Sequence, residues 1–362
     1  MKPRRATGWP PANLTQKCLS GHGHSLHYLL TNMTVGVKPL PFNGTKQLED
    51  IPDLILGAGV FNYQYHENPH SLPAEEVLRK AFALGIRALD TSAYYGPSEE
   101  IVGSALKKLA SEYPRDSYFI CTKAGRFGVD TFDYSSQAIK SSVERSLKRL
   151  NTDYIDVLYI HDVEFVAIEG CVEAVKAAFE MKAQGLVRWV GVSGYPLDFL
   201  LQVATTVQKE LGQSLDVILS YCNFCLQNTR LSAYVEKFVS QAGVRKVMNA
   251  SPLSMSLLRN QDTHSFHPAS DGLKKRVQEI ADYCAKEGVD LADLASRFVF
   301  RKWEGSTVFG LQRVQEVERA VMDFWTSRSH DELEQKDEAM FNEVKNMFGE
   351  YYNETWPSGI EH

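Results

Sequence analysis

From about Pro52 onward, the hydrophobic residues of this chain fall into two alternating rhythms. Short apolar runs read as strands, and each is followed by a stretch whose apolar residues recur every three or four positions, the period of a helix. Leu54-Ile55-Leu56 is the first strand and runs into Gly57-Ala58-Gly59. A helix over 73–84 carries Val77, Leu78, Ala81 and Phe82 on one face, with Gly85 as its stop. Ile86 to Leu89, Tyr118 to Thr122 and Ile155 to Ile160 are the next three strands, separated by helices that open at Ser98 and at Ser135 or Ser136. The theme then repeats: a helix over 168–184, strand Val187 to Val192, a helix from Pro196, strand Asp216 to Leu219, a helix over 231–242 and strand Val244 to Val247. Two helices, over 271–287 and 290–302, precede an eighth strand, Ser306 to Phe309, and a helix over 313–325. Eight strand–helix units in about 270 residues predict an α/β fold of the (β/α)8 TIM-barrel type.

The pattern divides the chain into a barrel over 49–330, a surface helix and tail over 331–362, and an N-terminal extension over 1–48. That extension contains no Asp or Glu. It reads as a disordered tail, or as the consequence of a start placed upstream of Met33. The whole chain has 362 residues, 39 basic and 45 acidic side chains, and an apolar fraction of 44%. This mild negative balance argues against a nucleic-acid partner. No run approaches the roughly 18 apolar residues of a membrane span. Six scattered cysteines do not make a disulfide scaffold, so a reducing, cytoplasmic setting is expected. An acid-free, Arg-bearing leader leaves a mitochondrial address open. His22, His24 and His27 lack a Cys or carboxylate partner at useful spacing, and Cys222-Asn223-Phe224-Cys225 lacks a second pair, so no metal site is expected.

The chemistry lies where the strands stop. The second strand runs into Asp90, with Tyr95 five residues on; the third ends at Lys123 and the fourth at His161. Parallel strands deliver their C-terminal ends to one rim, so these four side chains converge there. A tyrosine has an ordinary pKa near ~10 and needs help to move protons at neutral pH. A lysine ammonium about 4 Å away is worth roughly 4 kcal/mol at an effective dielectric of ~20, enough to lower that value by about three units. Asp90 would keep Lys123 charged, Tyr95 would be the acid or base, and a neutral His161 would orient the substrate oxygen. Other cofactor folds fail: Gly57-Ala58-Gly59 lacks the third glycine of a dinucleotide fingerprint, and no tyrosine is followed by Lys four residues later.

Asp90-Thr91-Ser92-Ala93-Tyr94-Tyr95-Gly96 and the stretch from Glu144 to Asp156 resemble two signatures of the aldo-keto reductase family. Val190-Gly191-Val192-Ser193 is similar to its amide-binding strand, with Gly194 in place of the usual Asn, and Ala250-Ser251-Pro252-Leu253 to its Tyr-Ser-Pro-Leu loop. The resemblance covers about residues 52–326. It implies a nicotinamide cofactor held by Ser193, Ser220, Ser251 and Leu253. The family's NADP-binding members hold the 2′-phosphate with Lys and Arg at positions that are Gly310 and Glu316 here. With Gln312 and Gln315 nearby, NAD is the expected cofactor, while Arg313 leaves NADP open. Phe61 and Phe127 follow the first and third strands and are candidate pocket walls.

Within the family the chain looks most like fungal D-arabinose dehydrogenases and plant L-galactose dehydrogenases. The segments that carry this are 56–62, 220–229 and 249–255. The likeness implies that a small sugar is the partner, D-arabinose, L-galactose or L-fucose, oxidised at C1 to a lactone with Tyr95 as general base. The same tetrad run in reverse would make an NADPH-dependent aldehyde or ketone reductase. A nucleotide-sensing accessory subunit is a third reading, disfavoured by the intact tetrad. A monomer or weak oligomer is expected.

Overall fold

Eight parallel strands close on one another in chain order in the computed structural model, which describes residues 37–45, 47–328 and 332–361. They are β1 (Leu54–Gly57), β2 (Ala88–Asp90), β3 (Phe119–Ala124), β4 (Ile155–His161), β5 (Val187–Gly194), β6 (Val217–Tyr221), β7 (Lys246–Ala250) and β8 (Thr307–Gly310). Around them lie α1 (Ala74–Ala83), α2 (Ser98–Leu109), α3 (Ser136–Leu150), α4 (Ile168–Ala183), α5 (Leu197–Leu211) and α6 (Ser232–Ala242). They are followed by α7 (Asp271–Lys286), α8 (Leu291–Lys302), α9 (Val314–Thr326) and α10 (Glu332–Phe348). The expected (β/α)8 barrel is the fold.

Local chemistry explains the helix limits. Ser135 caps α3 by accepting the Ala138 N–H at 3.3 Å, Ser270 caps α7 through Leu273, and Asp290 accepts from Ala292 and Asp293 at the start of α8. Gly85, with φ +85°, turns the chain out of α1 toward β2, where a side chain would meet the Leu40 carbonyl.

Three stretches differ from expectation. β7 begins two residues later than Val244 and continues to Ala250. Arg245 and Lys246 both donate backbone N–H groups to the Asp216 carbonyl, so pairing with β6 starts only at Lys246. Asn249, beyond the expected end of the strand, is buried inside it with its Nδ2 donating to the Phe224 carbonyl at 2.9 Å. Residues 37–45, 47 and 48 pack on the barrel rather than trailing from it. The Leu40 N–H donates to Leu84 at 2.8 Å, and Leu48 is fully buried with Ile51 and Ile55. Finally, α10 is more than a surface helix, because Met340, Phe341, Val344 and Phe348 are buried against α7 and α8. The expectations for residues 1–36, including His22, His24 and His27, lie outside the described residues. No helix among the described residues is long and apolar enough to cross a membrane.

Candidate active site

Side chains alternate across a strand, so residues two apart share a face. One buried apolar cluster takes Ile55, Ala88, Cys121, Tyr159, Trp189, Leu219, Met248 and Val308, one from each strand, and this is the barrel interior. The next inward position along the strands is Gly57, Asp90, Lys123, His161, Tyr221, Ala250 and Gly310, with Ser193 following Gly191 on β5. All eight line a single cavity of about 270 Å³. The sheet thus ends in a layer of polar and small residues over an apolar plug, and the loops add Tyr95 to its wall.

The four expected side chains meet there. Lys123 Nζ donates to Asp90 Oδ1 at 2.5 Å and to the Thr91 carbonyl at 2.8 Å, and lies 4.7 Å from the centroid of the Tyr95 ring. His161 meets the Tyr95 ring edge-on, with centroids 5.6 Å apart. Tyr95 sits on the turn after β2, held by its N–H to the Ser92 carbonyl at 3.1 Å. Gly59 lets the ring approach, since a Cβ there would stand 3.3 Å from Tyr95 Cε2.

Burial works against the Lys123 ammonium, but Asp90 and Tyr95 hold its pKa above the ordinary value, so it stays charged. Burial lifts the Asp90 carboxyl, and Lys123 pulls it back. Burial pushes the His161 imidazole down to about 3, so it is neutral. Tyr95 departs from expectation. Burial pushes its phenol above the ordinary value, and the pull of Lys123, partly offset by Asp90, does not overcome that. The resting phenol is therefore protonated.

Residues 53–340 match the model of the aldo/keto reductase family. The chain belongs to that family. It is 43% identical over 335 residues to D-arabinose 1-dehydrogenase of Saccharomyces cerevisiae, covering 91% of this chain and 98% of that one. It is 36% identical over 294 residues to L-galactose dehydrogenase of Arabidopsis thaliana, covering 79% and 88%. Over 250 residues it is 27% identical to D-threo-aldose 1-dehydrogenase of a Pseudomonas species, covering 61% of this chain and 74% of the relative. As an aldo/keto reductase, the protein is an oxidoreductase that works with a nicotinamide cofactor.

A groove of about 550 Å³ adjoins the first cavity and shares Val60, Tyr65, Ser251, Met255 and Gly310 with it. Leu253, Gln312, Gln315 and Glu316 line this groove. Glu316 accepts the Gln312 N–H at 2.9 Å at the start of α9. In the smaller cavity the Ser193 hydroxyl is buried and has no hydrogen-bond partner among the described residues. An orphaned donor–acceptor beside a groove of this volume suits the amide of a dinucleotide.

Three candidate residues do not reach either cavity. Ser220 is one position off the inward track of β6, so it faces away and accepts from Asn223 Nδ2 at 3.0 Å; Tyr221 takes the inward place. Phe61 is fully buried between β1 and the helices around it. Phe127 is exposed and packs under the Arg145 guanidinium. Conversely, the sequence reading missed Arg126 and Asp162, which pair with each other on the wall of the smaller cavity. Asp162 directly follows His161, and Arg126 lies three residues past Lys123, so strand-end proximity was the available signal. Arg259 lines the groove, bonds the Ser256 carbonyl and His264 at 3.3 Å each, and makes no ion pair among the described residues. It lies in an irregular loop whose sequence has no period to mark it. The departure at Gly194 also has a cause, because a Cβ there would stand 2.5 Å from Glu164 Oε2.

Proposed function

We propose that this protein oxidises a free aldose at C1 to the aldonolactone, with NAD as hydride acceptor. The observation that carries this reading is the wall beside the tetrad. Asn62, Gln64, Tyr94, Arg126 and Asp162 line a cavity of about 270 Å³, a small space rich in hydrogen-bonding groups. Such a lining matches the several hydroxyls of a monosaccharide better than the apolar body of a simple aldehyde. The relatives named for D-arabinose, L-galactose and D-threo-aldose oxidation support the same class.

Each residue then has a role. Tyr95 removes the proton of the C1 hydroxyl, and Lys123, kept charged by Asp90, favours the phenolate that accepts it. His161, being neutral, donates one N–H to the sugar oxygen and fixes its orientation. Ser193 holds the nicotinamide amide. The Tyr221 ring, opposite Ala250 in strand register, supplies the aromatic face that Ala250 lacks. A nicotinamide dinucleotide bound along the groove would supply the acceptor for the hydride that C1 releases. Arg259 suits the phosphates of the cofactor.

NAD preference rests on the groove's charges. Glu316 places a carboxylate where a 2′-phosphate would be repelled. Arg319, which also lines the groove, is already paired with Asp293 and Asp323. Arg313 is exposed and lies outside the groove lining. The test is absorbance of the reduced cofactor after mixing protein with NAD or NADP and D-arabinose, L-galactose or L-fucose. Growth of signal with sugar, at a kcat/KM for NAD at least about tenfold above NADP, is the expected result. Turnover only with NADPH and an aldehyde would establish the reductase reading instead.

A further inference from the structure

One hydroxyl joins the turn that carries Tyr95 to the ring of His161. Ser92 Oγ accepts the Tyr94 backbone N–H at 3.1 Å and lies 3.0 Å from His161 Nδ1. Ser92 is fully buried and lies outside the cavity lining, so its hydroxyl cannot turn to water for a partner.

A serine hydroxyl has one proton to give. If it only accepted, from Tyr94 and from an Nδ1–H, its own proton would be left without a partner in an enclosed site. Among the described residues, Nδ1 is the acceptor that Oγ meets besides its contact with Tyr94. We propose that Ser92 is a positioning residue whose O–H donates to Nδ1 of His161 and so holds the imidazole proton on Nε2. The inference rests on the reading of His161 as the group that donates to the sugar oxygen.

A second contact points the same way. Asp162 Oδ2 lies 3.5 Å from Nε2, and a carboxylate there favours a proton on that nitrogen. The carboxylate is engaged by Arg126, which leaves the Nε2–H available to a ligand. Because the imidazole is uncharged, only one nitrogen carries a proton, and the tautomer decides whether the ring gives or takes a hydrogen bond at the substrate. With the proton on Nδ1, the Nε2 lone pair would face the lone pairs of the sugar oxygen. Ser92 thus ties the donor and the general base to one turn just beyond β2.

The test is two-bond 1H–15N correlation on protein labelled with 15N-histidine, with the His161 signals identified by their loss in His161→Asn. The wild-type protein should show a pyrrole-type Nε2 and a pyridine-type Nδ1. Ser92→Ala should shift His161 toward the opposite tautomer or a mixture. Its kcat should fall about tenfold while cofactor affinity is retained. Ser92→Thr, which keeps the hydroxyl, should keep the wild-type tautomer. A wild-type ring protonated on Nδ1 would overturn the proposal. So would a Ser92→Ala protein that keeps the Nε2–H tautomer, whatever its turnover. The tautomer is read without substrate, so a protein that fails to oxidise sugars would reject the proposed activity and leave this measurement standing on its own.

Discussion

The phenol of Tyr95 works only if its proton can leave, and the charges packed around it set how easily that happens. Burial raises its pKa, Lys123 lowers it, and Asp90 raises it by less than Lys123 lowers it. Sugar oxidation needs the deprotonated form, so kcat should climb with pH until the phenol is titrated. Replacing Asp90→Asn together with Lys123→Met removes both charges and avoids stranding a buried carboxylate. Because the lysine pull is the larger, the double variant should carry its rising limb to higher pH and lose at least about a hundredfold in kcat near neutrality. A kcat–pH profile checks both. At the far end of the groove, Glu316→Arg should raise kcat/KM for NADP by roughly tenfold and lower that for NAD, read as the ratio of the two. Asp90, Lys123 and His161 were legible in the sequence because a polar residue ending an apolar run stands out. Ser220 was proposed from the family resemblance, but the strand continues to Tyr221, and one residue exchanges the two faces of a strand. The net direction of the Tyr95 shift could not be read either, since desolvation depends on packing that spacing does not reveal.

At the scale of elements, the helices were legible because their apolar residues recur every three or four positions, and Ser135, Ser270 and Asp290 cap three of them. β7 was not, because its polar Asn249 finds a buried partner from the loop after β6 that lies 25 positions away in the chain. One contact between helices sets a sharp requirement. In α2, a Cβ on Gly103 would stand 1.8 Å from the Arg149 carbonyl oxygen at the end of α3. Alanine would favour the helix by about 1 kcal/mol through propensity. Overpacking against backbone costs about 1–3 kcal/mol or more, so the clash should win. Gly103→Ala should lower Tm while leaving kcat per folded molecule unchanged, because α2 faces away from the cavity. Thermal unfolding together with turnover separates the two effects.

Over the whole molecule, the barrel needs its C-terminal helix. Arg297 of α8 makes two hydrogen bonds of 2.8 Å to Asp337 of α10, with both side chains buried and Asp323 of α9 3.7 Å away. Arg297→Met would leave Asp337 enclosed without its cation, while Asp323 keeps Arg319, at a cost of about 3–5 kcal/mol, measurable as a lower urea midpoint. The architecture was legible in the sequence because eight repeats of one rhythm admit few topologies. The docking of α10 was not, since Asp337 reads as one more surface acid until its partner is seen. What the barrel achieves as a unit is to bring Asp90, Tyr95, Lys123 and His161 from β2, β3, β4 and one turn to a single layer. Rapid mixing of the NAD-saturated protein with D-arabinose, following NADH formation in the first turnover, tests that claim most directly when wild type and Tyr95→Phe are compared and NAD affinity is measured for both. The expected result is a burst of NADH in wild type, a loss of at least about a thousandfold in its rate for Tyr95→Phe, and equal NAD affinities. Unchanged hydride transfer in Tyr95→Phe, or a loss matched by the loss of NAD binding, would contradict it.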